Sequence, residues 1–152
     1  MAHCDLDSCD FHMATLTGAN LIGASLVKAN LNYANLDEAV LSGALAYYVT
    51  ARNTSFKAMK AAGVQMPSAT IEGADFTDAD LTCANLNHCN FHTAKITGAN
   101  FSGVDIKYVD GISDAGTVSP ITSRGVVSDA CYIEIPAENV QEVAQEMALR
   151  AG

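Results

Sequence analysis

Cysteine and histidine fall close together at three places in this 152-residue chain: His3 beside Cys4, Cys9-x-x-His12, and His88-Cys89-x-x-His92. Thiolate and imidazole at such spacings are zinc ligands, which bind within about 2.3 Å of the metal. A second cluster, Asp75, Asp78 and Asp80, has the carboxylates that acid–base chemistry uses. The surroundings argue against both readings. Cys9 and Cys89 stand two residues before the apolar Phe11 and Phe91, whereas His12 and His92 stand one residue after them. In extended chain, residues two apart share a face and adjacent residues oppose. Each Cys therefore points inward and each His outward, so no metal ligand is assigned. The acids read as a solvated face. Neither a nucleophile–base–orienter set nor a glycine-rich phosphate loop occurs, so no catalytic residue and no cofactor are expected.

The element that positions these side chains is a repeat, and a repeat decides the fold before any other signal. Large apolar residues return every five positions: Leu6, Phe11, Leu16, Leu21, Leu26, Leu31, Leu36 and Leu41, then Ile71, Phe76, Leu81, Leu86, Phe91, Ile96, Phe101 and Ile106. Two residues earlier sit small ones, mostly alanine, with Cys4, Cys9 and Cys89 in the same place. A helix turns about 100° per residue, so a period of five spirals around it. A plain strand alternates with period two, so residues five apart would face opposite ways. A short extended piece followed by a bend satisfies the pattern, and repetition winds the chain into a solenoid with an apolar axis. Glycines at 18, 23, 43, 73, 98 and 103 sit two after the central residue, where a bend favours positive φ. The small inner residue keeps a narrow coil from being overfilled. The expected core includes Leu21, Leu26, Leu31, Leu36, Phe76, Leu81, Leu86, Phe91 and Phe101.

The runs Ala19-Asn20-Leu21, Ala29-Asn30-Leu31, Ala34-Asn35-Leu36, Ala74-Asp75-Phe76, Ala79-Asp80-Leu81, Ala84-Asn85-Leu86 and Ala99-Asn100-Phe101 resemble the pentapeptide-repeat family, with consensus Ala-(Asp/Asn)-(Leu/Phe)-X-X. Sixteen clear units cover about half of the chain. The resemblance implies an all-β solenoid, a right-handed, quadrilateral, parallel β-helix with four units per coil. Residues twenty apart then stack at roughly 4.8 Å. The two Cys-x-x-His pairs, 80 residues apart, would be separated by about 19 Å on that spacing.

Length suits a single domain. No apolar run approaches the roughly 18 residues of a membrane helix, and no secretory signal is visible, so the expected location is cytoplasmic, with no membrane contact. Cysteine in the inner position reads as a small apolar residue. Cys83 and Cys131 have no evident partner, and the odd, unspaced set does not suggest a disulfide framework. Net charge is −9. Direct nucleic-acid binding needs a basic footprint, so it is not expected; a basic partner surface is permitted. The acids avoid residues 44–68, which hold only Arg52, Lys57 and Lys60 as charged groups.

The repeat over 4–108 is thus interrupted at 44–68, where the register of five is kept. The stretch from Ser55 to Ala62 reads as a short helix bulging from a degenerate third coil, capped by Thr54 or Ser55 and ended by Gly63. A continuous irregular coil is the alternative. About five coils result. Residues 109–152 read as a linker, a strand over Val126–Ile135, and an amphipathic helix near 137–150 that caps the solenoid or forms a dimer.

Outward apolar residues mark candidate contacts. Ile22 and Val27 replace polar residues, Met13 aligns with Tyr33, and Val27 with Tyr47 beside Tyr48. Either the inserted or C-terminal helix covers this patch, or it is a dimer or partner interface. With Arg52, Lys57 and Lys60 these residues form the candidate partner-binding set. The expected function is a non-enzymatic interaction or scaffold module that binds a protein, and a homodimer through an uncapped solenoid end or the C-terminal helix. The family resemblance implies an alternative: some bacterial pentapeptide-repeat proteins resemble duplex DNA in width and acidity, bind DNA gyrase or another topoisomerase, and modulate quinolone or toxin sensitivity. Thr15, Ser25, Val40 and Lys95 break the acidic line that such a mimic would present.

Overall fold

The structure is a computed structural model that describes residues 1–109. Each five-residue unit has one extended residue in a parallel bridge and a two-residue turn, without interruption along the described chain. Every bridge joins residue n to residue n + 20, from Asp5 with Ser25 to Asn85 with Asp105. Twenty residues per coil and five per unit give four sides, so the chain is a four-sided parallel β-solenoid. The first side carries Asp5, Ser25, Leu45, Gln65, Asn85 and Asp105; the second Asp10, Asn30, Thr50, Thr70 and Asn90; the third Thr15, Asn35, Ser55, Asp75 and Lys95; the fourth Asn20, Val40, Lys60, Asp80 and Asn100. Each side ends in a corner.

One unit shows why the backbone closes this way. The Leu26 N–H donates to Leu45 O at 2.6 Å and Lys28 N–H to Tyr47 O at 2.9 Å, both one coil ahead. The Asn30 N–H donates back to Cys9 O at 2.9 Å, and Ala29 N–H closes the corner on Leu26 O. A four-residue turn with positive φ at its third residue has the signature of type II. Seven corners place glycine there, and fifteen place another residue, including Lys28 at +60° and Tyr33 at +61°. Coil-to-coil hydrogen bonds therefore hold most corners in a conformation that side chains ordinarily avoid.

The remaining turn N–H, one residue after the central position, lies outside the ladder. An Asn or Asp two residues earlier accepts it in many units, as Asn35 does for Asp37 at 2.9 Å and Asn90 for His92 at 2.8 Å. This is the physical reason for the acid or amide in the repeat: the side chain satisfies a donor that would otherwise lack a protein partner. Where Ser25, Thr50 or Ser55 stands there instead, the N–H of Val27, Arg52 or Lys57 donates to Asp7, Asn32 or Asp37, one coil earlier.

The core fills the axis. Leu21, Leu26, Leu31, Leu36, Phe76, Leu81, Leu86 and Phe91 are buried, and Phe101 packs partly buried against them. Phe56 stacks on Phe76 with ring centres 4.9 Å apart. Leu6, Phe11 and Leu16 of the first coil are only partly buried.

The short helix expected within 55–62 does not form. Those residues are regular corners and bridges, and Ala58 has a φ of +52°. Phe56 N–H donates to Asp75 O and Lys60 N–H to Ala39 O, so neighbouring coils take up the hydrogen bonds a helix would have kept internal. Eight residues are too few for a stable isolated helix, and tertiary pairing overrides their propensity. The expected C-terminal strand and helix lie outside the described residues.

Candidate interaction surface

Packing fills the interior, so chemistry-bearing side chains stand in columns along the corners. The predicted contact residues separate into several groups. Val27, Tyr47 and Tyr48 come together at the first corner, where Lys28 N–H meets Tyr47 O and Tyr48 N–H meets Pro67 O. Val27 and Tyr47 are half-buried, while Tyr48 is exposed. Tyr33 stands on the second corner with Met13 and Arg52. Its ring meets His12 edge-on at 5.7 Å, and Met13 and Tyr33 are 70% and 58% exposed. Stacking of Met13 with Tyr33 and of Val27 with Tyr47 follows from the twenty-residue register. No inserted helix covers them.

Ile22 departs from expectation. It is 1% exposed and therefore does not belong to an open patch. Its position at the fourth corner, with the buried Ser42 and Ala62, accounts for a hydrophobic residue there.

The three bases do not form one patch. Arg52 is on the second corner, Lys57 on the third, and Lys60 on the fourth side between Val40 and Asp80. Arg52 pairs with Glu72 at 3.2 Å and Lys57 with Asp75 at 3.7 Å, each toward the next coil. Lys95 approaches the same Asp75 at 3.9 Å from the opposite side. Burial alone pushes the Asp75 carboxyl up, but the Thr77 hydroxyl and N–H and the two lysines together outweigh it and hold it below the usual carboxylate range. The acid-free stretch therefore neutralises acids of the coil above, a relation visible only once the twenty-residue register is known.

The histidines and cysteines do not converge. The Cys89 thiol is buried and donates to Met66 O at 3.0 Å; desolvation pushes it up to about 12. His88 stacks on Tyr108 at 5.0 Å, and His92 is exposed. Among the described residues no three His, Cys, Asp or Glu side chains stand together as a metal site. Cys4, Cys9 and Cys89 are free thiols. Cys83, expected to lack a partner, is disulfide-bonded. Among the described residues no helix is long and apolar enough to cross a membrane.

A family model for pentapeptide repeats, in eight copies, matches residues 4–43 and 74–107. A search of curated protein sequences finds no match. Among solved structures, a trypsin-treated variant of QnrB1, described as a plasmid-mediated fluoroquinolone resistance protein, is 23% identical with a TM-score of 0.53. That match covers 66% of this chain and 61% of QnrB1, so the chain spans about three fifths of that relative's length. The pentapeptide repeat protein Rfr23 from the cyanobacterium Cyanothece 51142 is 27% identical with a TM-score of 0.34, covering 65% and 63% of the two chains. HetL, a pentapeptide repeat protein involved in heterocyst differentiation regulation in Nostoc, is 25% identical with a TM-score of 0.33, covering 78% and 72%. The QnrB1 likeness speaks to the fold alone; the five-residue units, their n + 20 pairing and the matched repeats together place this chain in the pentapeptide-repeat family.

Proposed function

We propose that this protein is a non-enzymatic interaction module that binds a protein partner along its solenoid surface. The observation that carries this reading is the exposure of Tyr33 and Tyr48, at 58% and 59%, on adjacent corners of a rod whose interior is filled by its own side chains. Tyrosine supplies large contact area at little conformational cost and is enriched at interfaces. The reading includes a cytoplasmic location, a division between the repeat at 4–108 and the segment 109–152, and self-association through a solenoid end or that segment. An affinity capture with the intact chain and with a Tyr33→Ala/Tyr48→Ala double variant tests it. The partner should be retained by the first and lost by the second; equal recovery rejects these corners as the binding surface.

A second reading, an acidic DNA mimic acting on DNA gyrase, draws support from the net charge of −9. The likeness to QnrB1 extends to the fold and motivates the assay only. Pairing of Asp75 with Lys57 and Lys95, and of Glu72 with Arg52, breaks the negative surface that such a mimic needs. Gyrase supercoiling with and without ciprofloxacin decides: inhibition or protection at micromolar protein supports the mimic, and no effect removes it.

A further inference from the structure

The first corner carries the charge opposite to that of the chain. From Val27 to Tyr108 its turn positions hold Lys28, Tyr47, Tyr48, His88, Lys107 and Tyr108 and no carboxylate. The backbone joins these turns into one column. Lys28 N–H donates to Tyr47 O, Tyr48 N–H to Pro67 O, Ser68 N–H to Asn87 O at 2.8 Å and His88 N–H to Lys107 O at 2.9 Å. The flanking sides are uncharged between their ends: the first has acids only at Asp5 and Asp105, the second only at Asp10. The third corner is the contrary case, with Asp37, Glu38 and Asp78 against Lys57. Lys28 and His88 are exposed, and Tyr48 and Tyr108 are 59% and 78% exposed. His88 lies almost parallel to Tyr108, with the ring planes 14° apart. Lys107 meets Asp105 at 3.7 Å, whereas Lys28 makes no ion pair among the described residues.

We infer that the first corner binds an extended acidic peptide segment, laid along the rod from Lys28 to His88 with an apolar residue over Tyr48 and Pro67. This rests on the interaction reading above and supplies the chemistry of the partner. Lys28 and His88 stand three coils apart, or about 14 Å at a coil spacing of roughly 4.8 Å. An extended chain rises about 3.3 Å per residue, so carboxylates four residues apart are separated by about 13 Å. One reaches Lys28 and the other reaches His88 and Lys107. In extended chain the residue midway between two such carboxylates shares their face. It falls about halfway along the span, over the tyrosine and proline, whose rigid apolar surfaces bind at little conformational cost. A basic segment would meet Lys28 and Lys107 as like charges. A nucleic-acid strand needs a continuous basic footprint, and here Asp5, Asp10 and Asp105 close both ends of the corner.

The test is fluorescence anisotropy at low salt, with the intact chain and a rhodamine-labelled peptide carrying Glu-Thr-Leu-Thr-Glu at its centre. Binding should saturate, and glutamine in place of both glutamates should weaken it about fivefold or more. Lys28→Glu should weaken it at least about tenfold, and lysine in place of one glutamate of the peptide should restore binding to that variant. Lys60→Glu, the same change of charge on the fourth side, should leave affinity within about twofold. Far-UV circular dichroism establishes that each variant is folded, and the glutamine peptide tests the unaltered protein. Absence of saturable binding, equal binding of the glutamine peptide, or equal binding of an oligothymidylate of similar length overturns the assignment. The affinity capture separates this from the broader reading. A partner lost with Tyr33→Ala/Tyr48→Ala but kept by Lys28→Glu overturns the acidic segment alone and leaves the interaction module standing.

Discussion

The coil from Ala24 to Leu41 and the stretch from Ala44 to Met66 share a backbone and differ in how they fill it. In the first, each inner pair is small then large: Ala24/Leu26, Ala29/Leu31, Ala34/Leu36 and Ala39/Leu41. In the second the order is exchanged or blurred at Ala44/Ala46, Val49/Ala51, Met59/Ala61 and Val64/Met66, and kept at Thr54/Phe56. All of these residues are buried, at 2% exposure or less. Bridges run through both stretches at the same offset of twenty. The solenoid thus requires apolar volume at the axis and is indifferent to which of two inward positions supplies it. Cores commonly tolerate exchange when total volume and patterning are kept.

The largest effect should come from removing volume altogether. Phe76→Ala empties a fully buried site stacked on Phe56 and should lower stability by about 3–5 kcal/mol, measured as a shift in the urea midpoint. The exchanged pair offers a sharper comparison. Met59→Ala alone should lose about 2–5 kcal/mol, and Ala61→Leu alone about 1–3 kcal/mol through overpacking. The double variant, which restores the regular order, should lie within about 1.5 kcal/mol of the parent. Additive losses in that double-mutant cycle would show that the two positions are not interchangeable. Thr54 is a buried hydroxyl in the small position, donating to Leu31 O at 2.6 Å. Thr54→Val should cost about 1 kcal/mol, the net worth of one hydrogen bond. Equal stability would mean that the irregular coil needs volume there and no polar contact.

The smallest effect is pH-dependent. The folded-state carboxyl of Asp75 is held below its unfolded value. Its contribution is therefore present above the unfolded value of about 3.9 and is lost as pH falls through the lower, folded one. Asp75→Asn should flatten the stability profile below pH ~4 and leave its shape near neutrality unchanged. A parallel profile in the two proteins would show that Lys57 and Lys95 do not act through this carboxylate.

How far the sequence reaches is plain from particular residues. Leu26 and Phe76 declare the fold because they recur in phase, and recurrence survives any local irregularity. Ser55 to Ala62 misleads because its helical propensity is local, whereas the bonds that decide it come from Ala34, Ala39, Asp75 and Asp80, about twenty residues away. Ile22 misleads for a related reason: periodicity tells inward from outward but not which outward corner is covered. The separation of Arg52 from Lys57 follows from the corners between them, which a linear charge map compresses into one basic stretch. Exposure of Tyr33 and Tyr48, by contrast, was legible because an outward aromatic residue interrupts a polar pattern.

The alternative suppliers for the turn N–H have a consequence for how such a chain tolerates substitution. Asn30 serves the unit it belongs to, while Asp7 serves the unit twenty residues later, where Ser25 stands in the amide's place. Loss of an Asn at one level can be rescued from the level beneath it. A deep mutational scan would register this as epistasis with a period of twenty: harmful single changes made silent by a partner one coil away, and neutral Asp residues that become indispensable once their neighbour has drifted.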